Sequence, residues 1–173
     1  EYGGVFPMMA KREHVKNLPE ILRLALTEAD MFTVGGNYEE AKWKMLEETL
    51  KREDGLYDGF KKAFESIKKP EVDVIAVTYG PGLEPALWVG ISFAKALSEL
   101  WDIPVIPVNH MEGHIVSVLL ENNDKRKIEF PAISLLISGG HTEIVYIEKW
   151  GKYKVIGETR DDAVGEAFDK TAR

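Results

Sequence analysis

The chain has 173 residues, of which 45% are hydrophobic and 29% charged, a balance typical of folded globular proteins rather than disordered ones. Its formal net charge of −7 argues against a surface built mainly to hold nucleic acid, unless a local basic patch or a partner chain supplies the positive field. The absence of Cys excludes disulfides and thiolate metal ligands, and it favours a cytoplasmic protein.

Helices joined by glycine-containing loops are predicted for the first part of the chain. Apolar positions recur at helical spacing from about Met8 to Ala29, although Pro19 is expected to break or kink this helix. A linker at 33–37 separates it from two further predicted helices, over about 38–52 and 56–69.

Strands and helices alternate in the middle of the chain. A short β-branched run at 72–78 predicts a buried strand, and a Gly-Pro-Gly turn then leads into an apolar helix that ends near Trp101. A second short strand at 103–108 precedes a helix over 110–121, which is followed by a polar loop. This order is typical of a parallel crossover between two strands. None of the apolar runs in the chain reaches the roughly 18 residues that a membrane-spanning helix needs.

Three consecutive strands are predicted towards the end of the chain, at 132–138, 143–148 and 153–158, with short turns between them. Asp161 and Asp162 stand where a helix N-cap is expected, and the residues up to Arg173 are predicted to be helical. The whole pattern indicates a mixed α/β protein. Since the chain starts without Met and stops inside a predicted helix, we expect it to be a piece of a longer protein.

Two histidines four residues apart, His110 and His114, form a candidate metal site. Residues at this spacing lie on one helix face, with Cβ atoms about 5–6 Å apart, and two histidines placed in this way can share one metal ion. A zincin helix needs Glu directly after the first His, but Met111 stands there, so the match to a metalloprotease is poor. The alternative is a pair of unrelated histidines on a polar helix face. A complete site needs a third ligand, for which a carboxylate is the expected type.

The stretch LLISGGHTE ends a predicted strand in Ser138, Gly139 and Gly140. Successive glycines let backbone N–H groups approach a phosphate or acyl oxygen closely. On composition alone, a plain hairpin turn is the commoner explanation, and His141 is open to the same two interpretations.

An acidic cluster occupies the last predicted helix, where Asp162, Glu166 and Asp169 share one face. A solvated acidic surface is the usual explanation for such a run. The apolar residues of this helix stand between the carboxylates, so the helix has little surface to pack into a core unless part of its acidic face is packed too. We therefore expect that part of the acidic face is enclosed.

Taken together, four stretches in this order resemble the TsaD-type tRNA adenosine threonylcarbamoyltransferases: GPGLEPALWVG, HMEGH, LLISGGHTE and GETRDDAVGEAFDKTAR. The opening YGGVFPMMAKREHVKNL is also similar to an early helix of that family. The resemblance implies the actin/Hsp70/sugar-kinase architecture, which has two domains of ribonuclease-H-like topology and is present here only as a middle fragment. Residues 1–130 would be the latter part of the first domain, and residues 131–173 the beginning of the second.

The resemblance also implies an acyltransferase that moves a threonylcarbamoyl group from threonylcarbamoyl-adenylate to N6 of adenosine 37, in tRNAs that read ANN codons. His110 and His114 would then be ligands of one divalent metal, Fe(II) in the first place and Zn as the alternative. The implied partners are tRNA, a paralogous dimerisation subunit and an ATPase subunit, with no membrane involved. The residues that would contact the acyl-adenylate are Leu136, Ile137, Ser138, Gly139, Gly140 and Asp169.

Departures from the family pattern are also visible. Pro85 and Trp88 replace smaller residues, and the segment 33–69 is longer than usual. The family's third metal ligand, an Asp, and its adenosine-contacting Asn belong to a C-terminal portion outside this chain, so we expect the 173-residue piece to be inactive by itself. Two alternatives stay open: a metal-dependent O-carbamoyltransferase of the same fold, and a non-catalytic dimerisation paralogue, which would have no reason to keep both histidines.

Overall fold

The structure is a computed structural model, and it describes residues 6–120 and 128–172. The chain divides into two compact units, Glu1–His110 and Met111–Arg173. Within the described ranges the helices are α1 (Pro7–Glu28), α2 (Glu40–Leu50), α3 (Leu56–Phe64), α4 (Glu84–Trp101), α5 (His110–Ser117) and α6 (Val164–Ala172). The strands are β1 (Ile75–Gly80), β2 (Val105–Asn109), β3 (Ala132–Ile137), β4 (Thr142–Lys149) and β5 (Lys152–Glu158).

The predicted α/β class is confirmed, and so is the order of its elements. The polar loop predicted after α5 falls mostly on residues outside the described ranges. Of the helices in the described ranges, none is both long enough and apolar enough to cross a membrane.

Helix α1 continues through Pro19, so the predicted break at that residue is wrong. A proline inside a helix lacks the N–H that would bond the carbonyl four residues earlier, which normally destabilises the helix. Here the ring is buried against α3, where a Cβ added at Gly59 would lie 3.5 Å from the Pro19 Cγ. Packing between two helices therefore offsets a local preference that the sequence pattern alone could not weigh.

Helices α2 and α3 build much of the core of the first unit. Their side chains meet α4 in an aromatic cluster, in which Phe60 and Phe64 lie 5.5 and 6.1 Å from Phe93, between ring centroids. Burying apolar side chains of this size is the main favourable contribution to folding. The residues of α2 and α3 that are entirely buried are Leu46, Leu50, Leu56, Phe60 and Phe64.

The stretch after α3 is not helical, contrary to the prediction of a helix to residue 69. Helix α3 ends at Phe64 because the next residues pair with the predicted linker. The N–H groups of Gly35 and Gly36 donate to the Ser66 carbonyl at 2.8 and 2.9 Å. A Cβ at Gly36 would lie 2.4 Å from the Ile67 carbonyl oxygen, so only glycine allows this approach.

Strands β1 and β2 are parallel neighbours joined by α4, as the crossover pattern predicts. Their pairing begins with Ile75 opposite Val105. The burial expected for the strand at 72–78 is wrong in part, because Ala76 and Thr78 are exposed. In the part of the chain that the structure describes, α4 packs on this sheet and leaves these side chains uncovered.

The second unit holds the predicted three-stranded meander, with β4 between β3 and β5 and both pairings antiparallel. Leu136, Val145 and Ile147 are buried against Ile115 of α5. Their strand neighbours Leu135 and Ile137 are exposed, as the alternation of side chains along a strand requires. Helix α5 ends at residue 117 rather than the predicted 121, in turns that follow Ser117.

Candidate functional site

The two histidines of the candidate metal site lie at the start of α5, directly after β2. Helical spacing puts them one turn apart on the same face. Met111 and Ile115 follow each of them by one residue and pack towards the sheet of the second unit. Successive helix positions differ by about 100°, so the two histidines point to a different side of α5 from Met111 and Ile115. His110 is exposed and His114 is half-buried.

The chemistry of this donor set fits part of a divalent metal site. Imidazole nitrogen is a favoured ligand for first-row metals such as iron and zinc. Within residues 6–120 and 128–172, no group of three or more His, Asp or Glu side chains is arranged to hold a metal ion. The metal assignment therefore stays a prediction, with two ligands named on this chain.

The Ser138–His141 turn is closed by its own backbone and one hydroxyl group. The Ser138 N–H donates to the His141 carbonyl at 2.9 Å, and the His141 N–H donates to the Ser138 Oγ at 3.2 Å. These bonds account for a hairpin between β3 and β4, but they do not account for its two glycines.

Neither glycine in this turn is required by the local fold. Both Gly139 and Gly140 are exposed, and a Cβ added to either would meet nothing within 4 Å. Neither has the left-handed backbone that favours glycine, which the chain does adopt at Gly151. An alanine could stand at both positions without crowding. Without side chains, both positions leave the backbone open to close approach by a ligand.

Helix α6 lies directly against this turn. A Cβ added at Gly165 would lie 2.7 Å from the Cα of Gly139 and 2.8 Å from the carbonyl oxygen of Ser138. Both are backbone atoms that cannot move aside cheaply, so Gly165 is required for this contact. The structure thus brings together two motifs that stand 25 residues apart, from Gly140 to Gly165.

Asp169 shares a helix face with Gly165, four residues earlier, so it lies one turn beyond the contact with the turn. The expected enclosure of the acidic face is wrong, since Glu166 and Asp169 are exposed and Phe168 is 71% exposed. Physically, α6 contacts its neighbours through Gly165 and the buried Ala163 that precedes it, and does not depend on a large apolar stripe.

Asp162 does not belong to a free acidic surface, because Lys170 lies 2.5 Å from its Oδ1. The hydrogen bond to Asp162 raises the pKa of Lys170, and the nearby carboxylates of Glu166 and Asp161 act in the same direction. Nor does an Asp hold the N-cap position, since α6 begins at Val164.

Two site residues were missed by sequence reasoning. Thr142 Oγ1 accepts the Val164 N–H at 3.0 Å, and Gly165 makes the close contact described above. Gly165 carried a usable signal, because glycine inside a helix costs about 1 kcal/mol relative to alanine and a packing reason is therefore expected. Thr142 carried none, because its partner is 22 residues away.

A family model described as tRNA N6-adenosine threonylcarbamoyltransferase, TsaD, matches residues 58–173. The chain belongs to the TsaD family. The resemblance inferred from the four motifs is thereby confirmed.

Curated relatives in the TsaD family match along nearly the whole chain. The tRNA N6-adenosine threonylcarbamoyltransferase of Fusobacterium nucleatum is 43% identical over 173 residues, which is 100% of this chain and 39% of the relative. The protein of the same name from Streptococcus sanguinis is 40% identical over 172 residues, 99% of this chain and 39% of the relative. The chain therefore spans about two fifths of the length of these relatives.

A cation–π contact joins α4 to the 33–69 segment. The Arg52 guanidinium lies over the Trp88 ring, 3.8 Å from its centroid. The Arg52 Nη2 also lies 4.0 Å from Glu84 at the start of α4. The Trp88 ring on α4 thus forms a stacking surface for a residue of the 33–69 segment.

Proposed function

We propose that this chain is part of an enzyme that transfers the threonylcarbamoyl group from threonylcarbamoyl-adenylate to N6 of adenosine 37 in tRNAs reading ANN codons. Membership of the TsaD family and relatives bearing the name of this activity support the proposal. Since the chain spans about two fifths of those relatives, the activity is assigned to the longer protein. The observation that carries the site is the Ser138–Gly140 turn, whose glycines have no role in the local fold.

The proposed architecture is the actin/Hsp70/sugar-kinase one, with two ribonuclease-H-like domains. The parallel β1–β2 pair joined by α4 would belong to the first domain, within residues 1–130. The meander β3–β4–β5 followed by α6 would open the second, within residues 131–173.

In the proposed site, the backbone N–H groups of Gly139 and Gly140 bind the phosphate and acyl oxygens of the adenylate, while the Ser138 N–H closes the turn. Donors fixed in position stabilise the negative charge of the departing AMP without reorganising during the reaction. Leu136 and Ile137 hold the turn at the end of β3 through the ladder to β4. The Leu136 side chain is buried, so its contribution to the ligand is through the backbone. Asp169 accepts hydrogen bonds from the ribose hydroxyls.

His110 and His114 would hold a divalent metal, Fe(II) or Zn, which when bound supplies Lewis-acid polarisation of the carbamate carbonyl. The adenine amine is a weak nucleophile, so orientation of the docked tRNA supplies much of the acceleration. With a net charge of −7 on this chain, basic partner subunits would help to hold the tRNA. We propose a dimerisation paralogue and an ATPase as these partners, and the cytoplasm as the compartment.

The activity can be tested with the full-length protein, its two presumed partners, threonine, bicarbonate, ATP and a tRNA that reads ANN codons. Nucleosides from the digested tRNA are then analysed by mass spectrometry. Threonylcarbamoyl-adenosine is the expected product. No product from a folded, metal-loaded protein would overturn the tRNA proposal and favour an O-carbamoyltransferase acting on small molecules.

Substituting Gly139→Ala or Gly140→Ala is expected to separate the fold from the site. Because the added methyl meets open space, the free energy of unfolding should stay constant or rise by up to about 1 kcal/mol. The methyl obstructs the approach of the adenylate, so formation of threonylcarbamoyl-adenosine should fall at least about tenfold. Denaturant unfolding and the nucleoside assay measure the two effects.

Gly157→Ala is the matched control. Gly157 lies in β5, away from the turn, and an added Cβ would make an ordinary contact of 3.7 Å with Ile144. It should leave the product yield unchanged. If the two turn variants were also fully active, the turn would be a plain hairpin.

A further inference from the structure

Thr142 joins three elements of the second unit. Its backbone pairs with Ile137 at the end of β3, and its carbonyl accepts the Thr159 N–H at 2.9 Å, just after β5. Its side-chain Oγ1 accepts the Val164 N–H at 3.0 Å, at the first residue of α6. One residue at the start of β4 therefore contacts the end of each neighbouring strand and the beginning of the helix.

The hydroxyl bond satisfies a group that a helix cannot satisfy by itself. The first N–H groups of a helix have no partner within it, and the preceding residue usually supplies one. In α6 that role falls to Thr142, which lies 22 residues earlier in the chain. The start of α6 is thus fixed to the sheet and not only to its own loop.

The bond acts next to the contact between α6 and the turn. Val164, the donor of this bond, directly precedes Gly165, where an added Cβ would lie 2.7 Å from the Gly139 Cα and 2.8 Å from the Ser138 carbonyl oxygen. Asp169 follows on the same helix face as Gly165. A shift of the first residues of α6 would therefore alter the contact with the turn and would also displace the Asp169 carboxylate.

We propose that Thr142 is a positioning residue for the acyl-adenylate site. Its hydroxyl holds the first turn of α6 against Ser138–Gly139, and so it orients the N–H groups of the turn and Asp169 together. The catalytic part of this inference rests on the proposed function of the turn, whereas the structural part rests only on the contacts above.

The test compares Thr142→Val, which keeps the branched shape and removes the acceptor, with Thr142→Ser, which keeps the acceptor. Both variants are made in the full-length protein, labelled with ¹⁵N-glycine, and the amide resonances of Gly139 and Gly140 are recorded. The KM for threonylcarbamoyl-adenylate and kcat are measured on the same samples. Thr171→Val is the matched control, since among the described residues the Thr171 hydroxyl bonds within α6, to the Ala167 and Phe168 carbonyls.

For Thr142→Val we expect shifted resonances of both glycines and a KM raised by about tenfold, as one lost hydrogen bond predicts, with a smaller effect on kcat. Thr142→Ser should restore both readouts, and Thr171→Val should change neither. Unchanged resonances and KM in Thr142→Val, or no restoration by serine, would overturn the proposal.

Two further arms keep the test decisive. If the wild-type protein proves inactive, the glycine resonances alone decide: a shift in Thr142→Val that serine reverses supports the positioning role, and no shift overturns it. If Thr142→Val does not fold, Gly165→Ala moves the same contact from the other side. It should shift the Gly139 resonance and raise KM, and an unchanged KM would contradict the proposal.

Discussion

Replacing His110 or His114 with Ala is expected to remove the metal from the full-length protein and to lower threonylcarbamoyl-adenosine formation by at least about a hundredfold. The two imidazoles lie one turn apart on α5, and losing either leaves an incomplete ligand set. Even residues that only support metal ligands cost 10- to about 100-fold when they are changed, so a ligand itself should cost no less. Metal content is measured by mass spectrometry on the purified protein, alongside the nucleoside assay.

His14→Ala is the control for the histidine substitutions. His14 is exposed on α1, with its Nδ1 2.7 Å from the Ala10 carbonyl oxygen. Both metal content and product should stay at the wild-type level in this variant. If the α5 variants also kept their metal and activity, His110 and His114 would be a polar helix face, the alternative that the sequence left open.

Replacing Lys11 with Met is expected to lower the free energy of unfolding by about 3 kcal/mol, because it leaves a buried carboxylate without its main partner. The Glu53 side chain is entirely buried, and the Lys11 Nζ lies 2.7 Å from its Oε2. Neither carboxylate oxygen has a hydrogen bond of good geometry to the described residues, so this ion pair is its chief compensation. Arg52 is farther away, with its Nε 3.6 Å from Oε1.

Denaturant unfolding of the full-length protein measures this loss, with Lys51→Met as the control. Lys51, the residue after α2, pairs with Glu48, and both side chains are exposed. An exposed ion pair of this kind contributes less than about 1 kcal/mol. The double substitution of Lys11→Met with Glu53→Leu should recover much of the stability, since the buried charge is then gone. Equal losses in Lys11→Met and Lys51→Met would contradict the assignment of Glu53 as a buried, lysine-dependent charge.

Elements that depend on local pattern could be predicted from the sequence. Helical spacing predicted α1 and apolar content predicted α4, and all five strands were predicted to within about three residues of their observed starts. The parallel crossover through α4 and the late meander followed from the order of these elements alone.

Features that depend on contacts between distant residues could not be predicted in the same way. Pro19 stays inside a helix because its ring packs against α3 beside Gly59, and α3 stops early because Ser66 bonds to Gly35 and Gly36. The site follows the same rule. Sequence motifs suggested the Ser138–Gly140 turn, whereas its dependence on Gly165 is visible only once the helix and the turn are placed together.

The stacking of Arg52 on Trp88 has a consequence for how this chain could be exchanged with its relatives. The two residues lie in separate stretches of sequence, yet each provides the environment of the other. In a chimera that received residues 33–69 without Trp88, Arg52 would lack this ring. An exposed contact of this kind contributes about 0.5–1 kcal/mol, so a graft that moves the segment together with Trp88 should be more stable by about that amount than a graft of the segment alone.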